Sequence, residues 1–290
     1  MPRTYSPLRY PGGKTQLSGF VQQILKLNRL SDIVYAEPFA GGFGAGLELL
    51  FKDTVKSVII NDYDIAIYSI WYAILNETER FIRDINNIKI NIHEWEKQKD
   101  KYHELSEKKE YSYELALATY FLNRTNRSGI ITGGPIGGKH QNGKYLLDCR
   151  FNKDNLSNKI KKISKYRDRI ELYNLEANES IDKIILEYRP EEIFLFFDPP
   201  YYEQGKNLYT NFFEHENHVN LKKKIESLNE YFWILTYDWK KEILDIYEGY
   251  DRYLYNINYY AANVKKAKEI LIHSDRVLIR DSKKVKIENI

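Results

Sequence analysis

The tetrapeptide Asp198-Pro199-Pro200-Tyr201 combines residue types that could activate an amine. It follows an apolar run, 193–197, that predicts a buried strand. Because prolines lack an N–H, the turn offers mainly acceptors, namely the Asp198 carboxylate and the Pro199 carbonyl. Tyr201 adds a flat aromatic face on which a ring can stack. Such a site suits a planar group with an exocyclic NH2. Donating both protons would move the nitrogen towards a tetrahedral shape and free its lone pair for attack.

A glycine-rich turn, "EPFAGG" at 37–42, is the second candidate site. Gly41 and Gly42 carry no side chain, so a ligand can approach their backbone closely. Asp62 follows about 20 residues later, where a carboxylate can accept both hydroxyls of a ribose. No register of the glycines matches G-x-G-x-x-G, so the pattern predicts a nucleoside site rather than a dinucleotide site. An ordinary tight turn beside a surface carboxylate is the alternative.

The run Gly13-Lys14-Thr15 near the start looks like the end of a loop that binds ATP or GTP. That loop requires a glycine five residues before the Gly-Lys pair, and Leu8 occupies this position. It also requires a buried strand in front, for which 1–7 is too short and too polar. The lysine and its glycines therefore need another explanation.

Alternating apolar patterns in the first quarter of the chain predict the elements that position these residues. Strands are expected at 33–36 and within 55–64, and helices at 16–30, 46–52 and 65–75. This alternation is typical of an α/β fold with a parallel, doubly wound sheet. In such sheets ligands bind beyond the carboxyl ends of the strands, and Glu37, Asp62 and Asp198 all follow predicted strands there.

The middle of the chain has a different character. Residues 77–114 are charged and helical in pattern, and 121–151 are rich in glycine and basic residues, with a hairpin expected between 130–131 and 145–147. The strand pattern resumes near Ile170 and continues at 231–238 and 269–275, the last of which is expected to end the sheet. We therefore predict a catalytic domain, 1–76 and 166–290, interrupted by an inserted domain, 77–165.

Composition narrows the class of protein. The 290 residues are 43% hydrophobic, enough for a packed core, and the net charge of +3 permits a local basic face. No apolar run reaches the ~18 residues of a membrane span, and no signal peptide is expected. The single cysteine, Cys149, excludes a disulfide framework and favours the cytoplasm. His215 and His218 lie beside Glu214 and Glu216, but no cysteine or third histidine is close, so we expect no metal.

Taken together, the motifs resemble those of the Dam-type, alpha-ordered DNA N6-adenine methyltransferases. "RYPGGK" is similar to the family's W/Y-x-G-G-K, "EPFAGG" to its E/D-P-F-x-G, "NDYD" to its acidic second strand and "DPPYY" to its catalytic D-P-P-Y. "FLNRTNRSGI" resembles the N-R-x-x-x-N/S-G stretch that opens its recognition segment. The resemblance covers nearly the whole chain in the expected order. Phe43 departs from it, because the family usually has a small residue there.

The resemblance implies a Rossmann-like methyltransferase sheet that uses S-adenosyl-L-methionine (SAM), with 77–165 as a target-recognition domain. The implied reaction is site-specific transfer of the methyl group to N6 of an adenine flipped out of DNA. The implied catalytic residues are Asp198, Pro199, Pro200 and Tyr201. The implied cofactor-binding residues are Tyr10, Lys14, Glu37, Pro38, Phe39, Gly41, Gly42 and Asp62, with Lys14 facing the SAM carboxylate.

The expected partner is double-stranded DNA, bound through basic residues of the inserted region. The candidates are Arg124, Arg127, Lys139 and Lys144. The resemblance also allows a cognate restriction endonuclease and implies a monomer. Two alternatives stay open on the residues alone: methylation of cytosine N4 or of an RNA base, which also carry an exocyclic amine, and a non-catalytic DNA-binding subunit.

Overall fold

One eight-stranded sheet organises the residues that the computed structural model describes, 4–10, 12–202, 213–260, 264–282 and 284–290. The strands are β1 (Val34–Glu37), β2 (Ser57–Asn61), β3 (Ile170–Tyr173), β4 (Ile193–Phe197), β5 (Phe232–Asp238), β6 (Arg252–Tyr260), β7 (Val264–His273) and β8 (Ile287–Asn289). Their order in the sheet is β3-β2-β1-β4-β5-β7-β6-β8.

The order of the strands creates a crevice for a ligand. Strands β1 to β5 pair in parallel, whereas β7 joins β5 antiparallel and carries β6 and then β8. The chain runs outward from β1 to β3 and then returns to place β4 on the other side of β1. The carboxyl ends of β1 and β4 therefore flank the point where strand order reverses, which is the usual ligand site of such sheets.

Helices cover both faces of the sheet. They are α1 (Ser18–Leu27), α2 (Gly44–Phe51), α3 (Ile65–Asn76), α4 (Thr78–Asn87), α5 (Ile92–Ser106), α6 (Tyr113–Thr125), α7 (Lys153–Ser164), α8 (Ala177–Glu187), α9 (His215–Glu226) and α10 (Lys241–Ile246). β4 and β5 are buried along their whole length, as expected for central strands covered on both faces. None of the described helices is long and apolar enough to cross a membrane.

The helices of the predicted insertion share a core with the sheet. Helices α3 to α7 lie between β2 and β3 in the chain. One apolar cluster contains buried residues from each of these helices: Trp71, Phe81, Trp95, Tyr120 and Ile160. Helices α4 to α7 therefore do not have a core of their own, and the boundaries 77 and 165 stay a prediction.

Two details of the predicted secondary structure are wrong. No hairpin joins 130–131 to 145–147. The Asn126 amide instead donates to the carbonyls of Ile130 and Ile131, at 3.0 and 2.7 Å, and so occupies the acceptors that a hairpin would use. The strand at 269–275 is also not the last: β7 covers most of it, and β8 follows along the chain.

Candidate active site

The strand ends bring the predicted carboxylates to one cleft. Glu37 ends β1, and Asp62 and Asp198 directly follow β2 and β4. All three line a cleft of about 1120 Å³, including its open mouth. Other predicted residues on its wall are Tyr10, Lys14, Phe39, Gly42 and Pro200. The predicted cofactor-binding and catalytic turns therefore border one cleft.

The glycine turn is packed against a side chain of the protein itself. Gly41 has a positive φ of 48°, and a Cβ added there would lie 2.5 Å from the ring of Tyr10. The Asp62 carboxylate accepts from the Gly41 N–H at 2.8 Å, and Trp71 Nε1 donates to the Gly41 carbonyl at 3.0 Å. The glycine is therefore needed for Tyr10 to lie on the turn.

Phe43, where the sequence departs from the expected small residue, is accommodated in the core. It is the N-cap residue directly before α2, has a left-handed φ of 46° and is 1% exposed. Its ring packs edge-on against Trp71, and its position also forms part of the cleft wall. Gly46 makes the room, because a Cβ there would lie 2.2 Å from the Phe43 ring.

Lys14 contacts the predicted catalytic turn. Its buried Nζ lies 2.9 Å from Asp198 Oδ1, and donates to the Tyr201 hydroxyl at 2.7 Å and to the Gly12 carbonyl at 2.9 Å. Burial lowers the pKa of Lys14, but Asp198 and Glu269 outweigh it and raise that pKa above its usual value. Lys14 is therefore a cation whose three N–H groups all have acceptors. A cofactor carboxylate would have to replace one of them.

Asp198 is held through one of its two oxygens. Thr236 Oγ1 donates to Oδ1 at 2.8 Å, and Lys14 reaches the same atom. Burial raises the pKa of Asp198, and the Lys14 ammonium acts in the opposite direction. Among the residues that the structure describes, none donates to Oδ2, so this oxygen can accept from an incoming amine.

Glu37 and Asp62 are buried carboxyls that a polar or cationic ligand would satisfy. Burial raises the pKa of Glu37 to about 8 and that of Asp62 to about 7. Tyr35 donates its hydroxyl to Glu37 at 2.8 Å. A ligand with an ammonium group and ribose hydroxyls, such as SAM, fits this donor and acceptor set. Within the described part of the chain, no group of three metal-ligating side chains is present.

Comparison with known proteins identifies the family. The sequence model of the D12 class N6 adenine-specific DNA methyltransferases matches residues 10–268. The chain belongs to this family. The match spans all four motifs of the cleft. It confirms the prediction that the chain is an adenine-specific DNA methyltransferase.

Individual known proteins share little sequence identity with this chain. The methyltransferase is 27% identical over 240 residues to the Type II methyltransferase M.MjaIII of Methanocaldococcus jannaschii, covering 77% of this chain and 80% of the relative. Two structures of the rRNA methyltransferase aviRa from Streptomyces viridochromogenes align at TM-scores of 0.40 and 0.39 with 13% and 12% identity. They cover 91% and 92% of this chain and 86% and 87% of theirs.

Asn123 lines the cleft of the methyltransferase but is not among the residues predicted from the sequence. Its side chain accepts from the Arg9 N–H and donates to the Arg9 carbonyl, both at 2.8 Å, and also donates to Gly129 at 3.0 Å. It thereby ties the segment that carries Tyr10 and Lys14 to the end of α6. The signal that could have identified Asn123 is its place in "NRTNRSG". The side-chain amide of a buried asparagine needs hydrogen-bond partners.

The predicted DNA-binding residues fall into two groups. The Arg124 side chain is half-buried and donates through Nε to the Arg150 carbonyl at 2.8 Å, so it stabilises the inserted loop. Burial lowers the pKa of Arg124. The side chains that remain exposed are those of Arg127, Lys139 and Lys144.

Proposed function

We propose that this methyltransferase binds SAM in the cleft and transfers its methyl group to N6 of an adenine flipped out of double-stranded DNA at a specific sequence. The observation that carries the proposal is the arrangement of Asp198. Its carboxylate follows a buried strand and lines the cleft, and Lys14 and Thr236 hold its Oδ1. When bound, SAM supplies a methyl group made electrophilic by its sulfonium.

On the acceptor side, the chain orients the target amine. Asp198 Oδ2 and the Pro199 carbonyl would accept its two N–H groups, which turns the nitrogen lone pair towards the methyl group. Tyr201, whose hydroxyl is fixed by Lys14, would stack on the base. Since N6 of adenine pairs within the duplex, the base must leave the helix to reach this turn.

On the cofactor side, we propose that Glu37 and Asp62 accept from the ammonium and the ribose of SAM. Tyr10, Pro38, Phe39, Gly41 and Gly42 would form the surrounding wall. Lys14 lines the same cleft, and its contacts support a second task, holding Asp198. It would face the cofactor carboxylate only by exchanging one of its present acceptors.

Interactions with DNA and other proteins form the remaining part of the proposal. Exposed Arg127, Lys139 and Lys144 would contact phosphates, whereas Arg124 would support the loop that carries them. Similarity to a Type II methyltransferase supports a role in restriction-modification with a cognate endonuclease. We propose that the enzyme acts as a monomer in the cytoplasm, where its single cysteine would stay reduced.

The test is methyl transfer from radiolabelled SAM to unmethylated genomic DNA, followed by nucleoside analysis. Wild type is expected to form N6-methyladenine, and Asp198→Ala to form none while still binding SAM. Asp168→Ala is the control, because this aspartate side chain is 98% exposed, and it should match wild type. Formation of N4-methylcytosine, or label in RNA but not in DNA, would contradict the proposed acceptor. Absence of any transfer by wild type would contradict the proposal that the protein methylates DNA without a partner.

A further inference from the structure

Glu269 is a buried acid next to the proposed acceptor pocket. In β7 it pairs with Asp238 of β5 on one side and with Tyr255 of β6 on the other. It is 1% exposed. It lies one residue beyond the end of the family match, at 268, and belongs to none of the four motifs. A buried carboxylate lowers stability unless it is hydrogen-bonded, so its contacts indicate its role.

Both oxygens of Glu269 are engaged by tyrosines. Tyr201, the last residue of the catalytic turn, donates its hydroxyl to Oε1, and Tyr255 donates to Oε2. Lys14 Nζ lies 3.7 Å from Oε1. The carboxylate therefore joins the cation and the aromatic residue of the proposed site to the neighbouring strand β6.

The hydrogen bonds run in one direction through Tyr201. Lys14 donates to the Tyr201 oxygen at 2.7 Å, and the same hydroxyl donates onward to Glu269. The hydroxyl is thus fixed from both sides, and with it the rotation of the ring. The Lys14 ammonium also lies 4.9 Å from the centre of that ring. Glu269 consequently acts on the two residues that border Asp198 without reaching the cleft itself.

We propose that Glu269 is a positioning residue for methyl transfer, which sets the Tyr201 ring and the Lys14 ammonium for the flipped base. This inference rests on the proposed function, because it assigns the acceptor base to the pocket formed by Asp198 and Tyr201. Removing the acceptor would let the ring turn away from the stacking position. Misplacement of this kind lowers the rate of chemistry more than the affinity for the cofactor.

The experiment compares Glu269→Ala and Glu269→Gln with a matched control, Glu171→Gln. Glu171 also accepts from two tyrosine hydroxyls, those of Tyr173 and Tyr188, but lies in the outer strand β3. Single-turnover methyl transfer to unmethylated genomic DNA is measured at saturating SAM, together with kcat, KM for DNA and the dissociation constant of SAM. Thermal unfolding checks that each variant is folded.

We expect Glu269→Ala to lower the single-turnover rate about ten- to a hundredfold, with SAM affinity within about twofold of wild type. Glu269→Gln keeps an oxygen that can accept from Tyr201, so it should recover part of the rate even if the alanine variant is unstable. Glu171→Gln should transfer methyl groups at the wild-type rate. A Glu269→Gln enzyme as slow as Glu269→Ala, or rates at the control level for both, would overturn the proposal.

A double-variant cycle tests whether Glu269 acts through the Tyr201 hydroxyl. In a Tyr201→Phe background, Glu269→Gln should slow the rate clearly less than it does in wild type, because the linking hydroxyl is already absent and only the 3.7 Å contact with Lys14 remains. Effects that multiply would show that Glu269 acts independently and would overturn the proposal. Failure of the proposed function looks different, because wild type itself would then form no N6-methyladenine.

Discussion

Replacing Glu37 with glutamine should change how the stability of the protein depends on pH. Glu37 is buried at the end of β1, and burial raises the pKa of its carboxyl from 4.5 to about 8. Between these values the folded protein holds a proton that the unfolded chain has released. The stability of wild type therefore falls as pH rises through this window and becomes level above about pH 8. Glu37→Gln cannot ionise, so it lacks this loss.

The size of the effect follows from the pKa. Each pH unit inside this window changes the unfolding free energy by about 1.4 kcal/mol for one proton. From about pH 5.5 to about pH 8.5, wild type should lose about 3 kcal/mol of unfolding free energy through Glu37, given its pKa of about 8. Relative to wild type, Glu37→Gln should therefore be more stable at the higher pH than at the lower pH by about this amount.

Urea unfolding of the SAM-free protein at both pH values, followed by tryptophan fluorescence, measures this difference. The Tyr35 hydroxyl favours the ionised form of Glu37, so a companion variant, Tyr35→Phe, should raise the pKa of Glu37 further. The unfolding free energy of this variant should then become level only at a pH higher than about 8. An unfolding free energy that differs between Glu37→Gln and wild type by the same amount at both pH values would refute the reasoning.

Three further substitutions test the supports of the cleft. Gly41→Ala places a Cβ against Tyr10 at positive φ and should lower the unfolding free energy, measured in urea, by about 2 kcal/mol. In the control Gly19→Ala the added Cβ has no atom within 4 Å, so the unfolding free energy should not fall. Asn123→Ala removes the bonds to the Arg9 backbone, so the N-terminal segment should exchange its amide hydrogens and be cleaved by protease faster. Thr236→Val removes a donor to Asp198 and should slow single-turnover methyl transfer about tenfold, with unchanged SAM affinity.

Much of the sheet could be predicted because its strands carry a strong local pattern. The apolar run at 193–197 is bounded by Asp198 and two prolines, and β4 coincides with it. The strand β6 was missed, since "RYLYNINYY" mixes polar and aromatic residues and is held by pairing with β7. Its partner β7 is the next strand along the chain, so β6 was missed because its own mixed composition gives no clear strand pattern.

The site could be predicted as a set of residues, but not as a set of contacts. Parallel strands end at one edge, so the proximity of Glu37, Asp62 and Asp198 followed from the fold class alone. The contact of Lys14 with Asp198 joins residues that are far apart in the chain. Glu269 was missed for the same reason, because only the register of β7 places it beside Tyr201.

The proposed reaction depends most directly on Asp198, and the decisive measurement is the single-turnover rate of methyl transfer by Asp198→Asn. Asparagine keeps the shape of the side chain, but it lacks the charge that Lys14 balances, and one of its two terminal atoms becomes a donor. At saturating SAM and DNA the rate should fall by at least about a hundredfold, with the dissociation constant of SAM within about threefold of wild type. A variant that transfers methyl groups to adenine within about tenfold of the wild-type rate would contradict the proposed role of this carboxylate.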